Sequence, residues 1–491
     1  MKYISTRGGA AEGKSASYVI LNGIADDGGL YFPTEIPKFD ADFLASLSIM
    51  DYAERAAKIL APYLTDYTYD ELYESASAAY SKEKFGEHAV PLAKLDKEEL
   101  YLLELWHGPT SAFKDMALQI MPRLLSKALK KSGSKETALI LVATSGDTGK
   151  AALEGYADVE GVKMAVFYPC DGVSSIQKRQ MATQRGSNVE VFAVEGNFDD
   201  CQSSVKEIFG DSALRAKLKE KGMFFSSANS INFGRLAPQV AYYISAYCDL
   251  IAEGAIENGE KVNITVPTGN FGNILAAYMA KKAGLPVGKL ICASNMNNVL
   301  TDFFNTGVYD RRRKFYTTAS PSMDILISSN LERLLYLAAG SEKCREYMEA
   351  LKNDGVFKVD EETMETLRED FAAFYCDEAD TKATIKDVYT QYGYLCDPHT
   401  AVGIYAARKY RESGDNAKML AASTASPFKF TTAVCEALGI ERLENEFDAL
   451  RLLSETAKVQ LPENLAQLEE AEIRFTRIIK REEMPSVVEG L

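Results

Sequence analysis

The sequence predicts an α/β protein with parallel sheets covered by helices on both faces, entered through a mixed, mainly helical lead-in. Three observations carry that reading. From Ala138 onward, short apolar runs alternate with helical patterns, the signature of right-handed strand–helix–strand crossovers. Two glycine-rich turns each stand between such a run and a helix. Before them, roughly a hundred residues carry helical rather than alternating periodicity.

In chain order, residues 1–100 form the lead-in. Asp26-Asp27-Gly28-Gly29-Leu30-Tyr31-Phe32-Pro33 reads as a tight turn into a short strand, and Tyr52, Ala53, Ala56, Ala57 and Leu60 mark a helical face. Residues 101–330 form an α/β core, with strands predicted at Ala138–Val142, Met164–Tyr168, Val189–Ala193, Val262–Val266 and Lys289–Ala293. In 331–491, a helix-rich remainder, Lys418–Ala422 completes the set of strands and the acidic helices after residue 331 read as a solvated outer face. The tail after Glu441 is helical and polar.

Composition sets outer limits. At 491 residues the chain holds two or three cores, taking about 150 residues per domain. A net charge of -15 argues against nucleic acid or an acidic membrane surface as a main partner. Eight cysteines without a CxxC pair, and three histidines, suggest neither a zinc site nor a disulfide framework, so no metal is expected and reduced thiols in a cytoplasmic protein fit best. Met1–Gly9 lacks an apolar targeting region, and no run of about 18 apolar residues occurs. A monomer or dimer is the expected state.

The chain is organised around His107-Gly108-Pro109-Thr110-Ser111-Ala112-Phe113-Lys114-Asp115, a loop feeding a helix. Pro109 stiffens the approach, Thr110 or Ser111 is placed to cap, and Phe113, Met116, Ala117, Ile120, Leu124 and Leu125 recur on one helical face, with Pro122 placed to kink it. Lys114 falls in the first turn, where the helix dipole disfavours a cation by about 0.3–1 kcal/mol. Ala117, Leu118 and Met121 nearby would desolvate it further. Both effects favour a neutral amine, the form that attacks a carbonyl to make a Schiff base. A surface lysine snorkelling past apolar neighbours is the plainer alternative.

The first glycine-rich turn is Thr144-Ser145-Gly146-Asp147-Thr148-Gly149, followed by a helix predicted to begin near Gly149. Backbone N–H groups and hydroxyls there form a receptacle for a carboxylate or phosphate. It matches neither the Walker nor the dinucleotide pattern. The second is Pro267-Thr268-Gly269-Asn270-Phe271-Gly272-Asn273, where glycines and asparagines let several N–H groups converge on one phosphate. Either alone also suits an ordinary strand-to-helix connection; the combination with Lys114 points to one cup for a cofactor phosphate and one for a substrate carboxylate.

Taken together, HGPTSAFKD, ATSGDTG, SANSINFGR, VPTGNFGN and DDGGLYFP resemble threonine synthases, pyridoxal-phosphate enzymes of the tryptophan-synthase-β fold type, from about Gly28 to Phe430. The resemblance implies two parallel-sheet α/β domains with the cofactor cleft between them (PLP fold type II). By it, Lys114 would carry pyridoxal 5'-phosphate in a Schiff base, while Gly269, Asn270, Phe271, Gly272 and Asn273 would hold the cofactor phosphate. Thr424 matches the hydroxyl that bonds the pyridine nitrogen, and Thr144, Ser145, Gly146, Asp147 and Thr148 would hold the substrate carboxylate. Relatives often have His at the position of Ser426 and Ala at that of Phe428, a departure in the wall behind the ring.

The implied reaction converts O-phospho-L-homoserine and water into L-threonine and phosphate. Expelling a dianion calls for contacts that strengthen as charge builds; Arg235 is the first candidate, its planar fork suiting phosphate, with Ser230, Asn232 and Lys178 beside it. For Lys178 a solvated helix face is an equal alternative. A serine or threonine dehydratase of the same fold, and a non-enzymatic protein that kept the fold without the cofactor, remain as competing readings. His107 and His399 are read as structural, Lys429 as a solvated neighbour of Thr424, and Trp106, Tyr242 and Tyr243 as core residues.

Overall fold

The computed structural model describes residues 1–9, 12–144, 146–170, 173–441 and 443–491. Two sheets organise it. One has five strands, all parallel, in the order Ile478–Lys480, Val189–Glu195, Val162–Pro169, Thr137–Ala143, Met223–Ser226. The other has six, in the order Phe371–Tyr375, Val287–Ser294, Val262–Pro267, Met419–Ser423, Leu100–Glu104, Leu92–Leu95, parallel except for the last pair. Thr137–Ala143 is a nearly continuous apolar run, and Val262–Pro267 is buried at every position despite Asn263 and Thr265, because helices cover both faces of a parallel sheet.

The strands expected from the sequence are all present; five are extended by a residue or more, and the one expected at Lys418–Ala422 is shifted by one residue to Met419–Ser423. Those missed are short or mixed: Leu100–Glu104 carries a terminal carboxylate, and Met223–Ser226 and Phe371–Tyr375 are edge strands covered on one side only. The remainder is not separate from the core. It supplies Phe371–Tyr375 and Met419–Ser423 to one sheet and Ile478–Lys480 to the other. Nor is the first acidic helix, Leu331–Asn353, wholly an outer face, since Leu331 to Leu335 are buried and Arg333 is fully enclosed. Arg333 donates to the carbonyls of Tyr31 and Ile231 and to Asn330, tying the lead-in to the core.

The lead-in is mainly helical as expected, with strands Tyr3–Ser5 and Tyr31–Pro33 paired antiparallel. Downstream of Lys114 the single kinked helix is replaced by two. Asp115–Leu118 is one turn, and Met121–Ser132 starts afresh with Pro122 in its first turn, where a missing N–H costs nothing. Among the described residues, no helix is long and apolar enough to cross a membrane.

Candidate functional site

Lys114 sits at the residue before the Asp115–Leu118 turn and is 8% exposed. Its Nζ donates to Ser322 Oγ at 3.0 Å, lies 3.8 Å from Asp147 Oδ2 and stands 5.0 Å from the Phe113 ring centre. Burial lowers its pKa from 10.5 to about 8, with Arg235 and Lys429 adding to the fall and Asp147 and Asp115 opposing it. A four-residue helix has little dipole to offer, so the helix-dipole part of the sequence argument gives way to desolvation. Thr110 and Ser111 do not cap: Thr110 donates its N–H and hydroxyl to Asp115, and Ser111, at φ 56°, bonds Asn464 from the C-terminal segment. Burial in turn raises the Asp115 carboxyl to about 7.

The first turn leads into the helix Asp147–Tyr156, two residues earlier than expected. Thr144 Oγ1 accepts the N–H groups of Gly146 and Gly149 at 3.0 and 2.9 Å, so this hydroxyl builds the turn itself. Gly146 is required at φ 147°, where a Cβ would sit 2.4 Å from the Gln177 amide. Thr148 is half-buried in the first helical turn, and Ser145 lies outside the described residues. Asp147 faces inward. Burial would raise its pKa, but Lys429 first, then Lys114, together with hydrogen bonds from Lys429 and Gln177, hold it well below the carboxylate range.

The second turn starts the helix Gly272–Ala283 from Phe271, which adopts φ 65° and packs its ring against Phe304 and Phe371, leaving only its backbone for a ligand. Asn270 is exposed, and its carbonyl accepts from Asn330 N and Nδ2. Gly269 lies against the Ser322 carbonyl, 2.4 Å from where its Cβ would be, so the cup adjoins the turn that holds Lys114. Asn273 Oδ1 accepts the Tyr243 hydroxyl at 2.5 Å and lies 2.6 Å from the Tyr242 hydroxyl, whose single proton is shared with Gln239 Oε1 at 3.0 Å. Its Nδ2 is buried without a partner among the described residues. A buried unpaired donor is costly and signals a missing acceptor; at a helix start an anion fits it.

Thr424 is buried next to Lys114's loop, its carbonyl accepting the Phe113 N–H at 2.8 Å, and the neighbouring Ser426 hydroxyl is buried and unpartnered among the described residues. Arg235 is buried with one bond, from Nη1 to the Ala228 carbonyl at 2.9 Å; burial drops its pKa to about 10, and among the described residues no carboxylate pairs with it. Asn232 is a helix cap instead. Its amide accepts from Gly234 N and donates to the Ile20 and Ser227 carbonyls, which leaves it no donor for a substrate. Ser230 is half-buried two residues before it, and Lys178 is half-buried with its amine on the Cys170 carbonyl, so it is not a freely solvated face.

Three partners escaped sequence reasoning. Ser322 lies in a loop without periodicity. Lys429 is fully buried and pairs with Asp147, where solvation was expected. His399, read as structural, lies in the first turn of the helix Pro398–Arg411 capped by Asp397, and its imidazole joins Asp397 to Ser322. His107 is held by Glu104 at 2.7 Å as expected, whereas Trp106, read as core, is half-buried, stacked on His107 and bonded to Ser423. Tyr242 and Tyr243 are core residues that also aim Asn273.

A lysine whose burial brings its pKa down to about 8, placed where two helix starts meet, is equipment for carbonyl chemistry on a phosphate-bearing aldehyde. Comparison with known proteins agrees. Residues 2–80 match the threonine synthase N terminus, 86–422 the pyridoxal-phosphate dependent enzymes and 400–488 the threonine synthase C-terminal region. The chain is 41% identical to human threonine synthase-like 1 over 451 residues, covering 89% of this chain but only 60% of that protein. It is 39% identical to threonine synthase of Pseudomonas aeruginosa over 94% of this chain and 97% of that one. The pyridoxal-phosphate-bound threonine synthase structure from Brucella melitensis superposes with a TM-score of 0.89 at 38% identity, covering 100% and 99% of the two chains. The chain belongs to the threonine synthase family of pyridoxal-phosphate dependent enzymes.

Proposed function

We propose that the protein converts O-phospho-L-homoserine and water into L-threonine and phosphate, acting in the cytoplasm as a monomer or dimer. The observation that carries this reading is a pair of unspent buried groups: a lysine amine at about 8 and, close enough to depress it, a guanidinium that no carboxylate pairs with among the described residues. Bound at Lys114, pyridoxal phosphate supplies an electron sink that lets protons leave carbons they otherwise hold. The N–H groups of Phe271, Gly272 and Asn273 and the Asn273 amide, unpartnered among the described residues, would hold its phosphate, and the Thr424 hydroxyl would bond the ring nitrogen.

The rest is work for this chain. Lys114 Nζ, neutral, takes a proton from the substrate's α-carbon and returns one later. The helix start from Gly146 to Thr148 orients the carboxylate through its N–H groups. Once the substrate's β-carbon has also lost a proton, the electron pair left there expels the γ-phosphate, and Arg235 binds that group more tightly as charge collects on the leaving oxygen; in a dry site such a contact is worth about 2.7–4 kcal/mol. Water then has to reach the β-carbon alone, and the buried walls limit how much enters.

Purified protein mixed with O-phospho-L-homoserine is expected to release phosphate and threonine in equal amounts. A dehydratase would instead release ammonia from serine or threonine and leave the phosphate ester intact. Arg235→Ala separates the two, abolishing the proposed reaction and sparing a dehydratase, which has no second phosphate to bind.

A further inference from the structure

A second buried lysine stands beside the first, and its side chain is more completely enclosed, at 0% exposure against 9%. Lys429 Nζ is 2.7 Å from Asp147 Oδ1 and donates to the Thr110 carbonyl at 2.8 Å. Asp147 Oδ1 also accepts from Gln177 Nε2 at 3.0 Å, while Oδ2 looks towards Lys114 at 3.8 Å. One carboxylate therefore serves two cations unequally, the near contact going to Lys429 and the far one to Lys114. Lys429 is fixed at both ends. Its backbone N–H bonds the Ser426 carbonyl, and Thr110 is held by both oxygens of Asp115.

We infer that Lys429 is a positioning residue for the proposed reaction: it neutralises Asp147 and so keeps that carboxylate from locking the Lys114 amine into an ion pair. The inference rests on Lys114 carrying the cofactor, as proposed above. In a dry pocket an unshared carboxylate less than 4 Å away would favour the ammonium strongly. Asp147 nevertheless cannot be dispensed with, because Lys429 is itself buried and needs an anion. The charged groups facing Lys114 are Asp147, Asp115, Arg235 and Lys429, and the last two both favour its neutral form. Behind Ser322 stands His399, tied to Asp397. The two lysines thereby divide the work: one is committed to structure by two short bonds, and the other, bonded to a serine hydroxyl with the carboxylate 3.8 Å away, is left to react.

The test follows attachment of pyridoxal phosphate rather than turnover. Full-length protein freed of bound aldehyde is mixed with pyridoxal phosphate from neutral to alkaline pH, trapped with borohydride and mapped by peptide mass. In the wild type the label is expected on Lys114 with a rate midpoint near 8. Lys429→Met is expected to raise the midpoint by roughly one unit or more. Lys429→Arg should stay near the wild type, and the double variant Asp147→Asn with Lys429→Met should return towards it. An unmoved midpoint in Lys429→Met, or label on Lys429, overturns the inference alone. Should Lys429→Met fail to fold, Asp147→Asn by itself is expected to lower the midpoint, and a null or upward shift overturns the inference. Wild-type protein without label on either lysine overturns the proposed function and this inference with it.

Discussion

His399 Nε2 accepts the backbone N–H of Ser322 at 3.1 Å, and its Nδ1 faces Asp397 Oδ2 at 2.6 Å. Because Nε2 is the acceptor, the ring proton is on Nδ1. The ring thus holds in place the serine whose hydroxyl receives Lys114. His399→Ala leaves that N–H and the Asp397 carboxylate short of a partner, a loss of about 1–3 kcal/mol. The expected result is a fold-intact protein with cofactor affinity lowered by about ten- to a hundredfold, measured by fluorescence titration. Unchanged affinity would show that the Ser322 turn stands without the histidine.

Lys114 gives a prediction with a definite sign. The unfolded amine keeps its proton up to 10.5 and the folded one releases it at about 8. Between those values the unfolded chain binds more protons, so cofactor-free protein gains stability as pH rises through that window, and below about 8 the cost of burying the cation is felt in full. Urea titrations at the two ends should show this gain in the wild type and its absence in Lys114→Met. The same variant folds but has no turnover, and a retained wild-type rate would remove Lys114 from the chemistry.

How much of this was legible beforehand depended on the scale of the signal. Apolar runs such as Thr137–Ala143 and the Met164–Tyr168 part of Val162–Pro169 announce buried parallel strands because both faces are covered. Lys114 and the two turns were legible since glycine and asparagine mark backbone that an anion can approach. Lys429, Ser322 and His399 were not. Each reaches Lys114 across a long sequence separation, and each sits in a segment whose local pattern suggests only a turn or a cap. Asn232 erred the other way: its place in a motif suggested a ligand, yet its amide is consumed by three backbone groups.

Asn273 is oriented by its neighbours. With the Tyr243 hydroxyl donating to Oδ1 and the Tyr242 hydroxyl beside the same oxygen, Nδ2 points away from them, and it has no partner among the described residues. Asn273→Asp replaces a donor facing the expected phosphate with an acceptor of like charge. Cofactor affinity should fall about a hundredfold or more, since a lost bond to a charged group alone is worth about 1.5–3 kcal/mol. Tyr243→Phe, which only frees the amide to rotate, should cost less. Equal losses in the two variants would mean that the carboxamide does not meet the phosphate.

Gly269 tests whether the two halves of the site move as one. A Cβ there would come within 2.4 Å of the Ser322 carbonyl, a backbone atom that cannot swing aside as a side chain can. Gly269→Ala must therefore displace the Pro321–Met323 turn, and with it the hydroxyl that receives Lys114. Overpacking of this kind costs about 1–3 kcal/mol. Because the strain falls on a turn rather than a strand, it should appear mostly as lost cofactor affinity and a changed pH midpoint for attachment at Lys114, with a smaller drop in melting temperature. Gly155→Ala is the control, as its Cβ would meet the Leu118 carbonyl at 1.8 Å, behind the lysine rather than beside the cup. That variant should lose stability foremost, and if Gly269→Ala behaves the same way, the contact with Ser322 serves packing and not the alignment of the lysine.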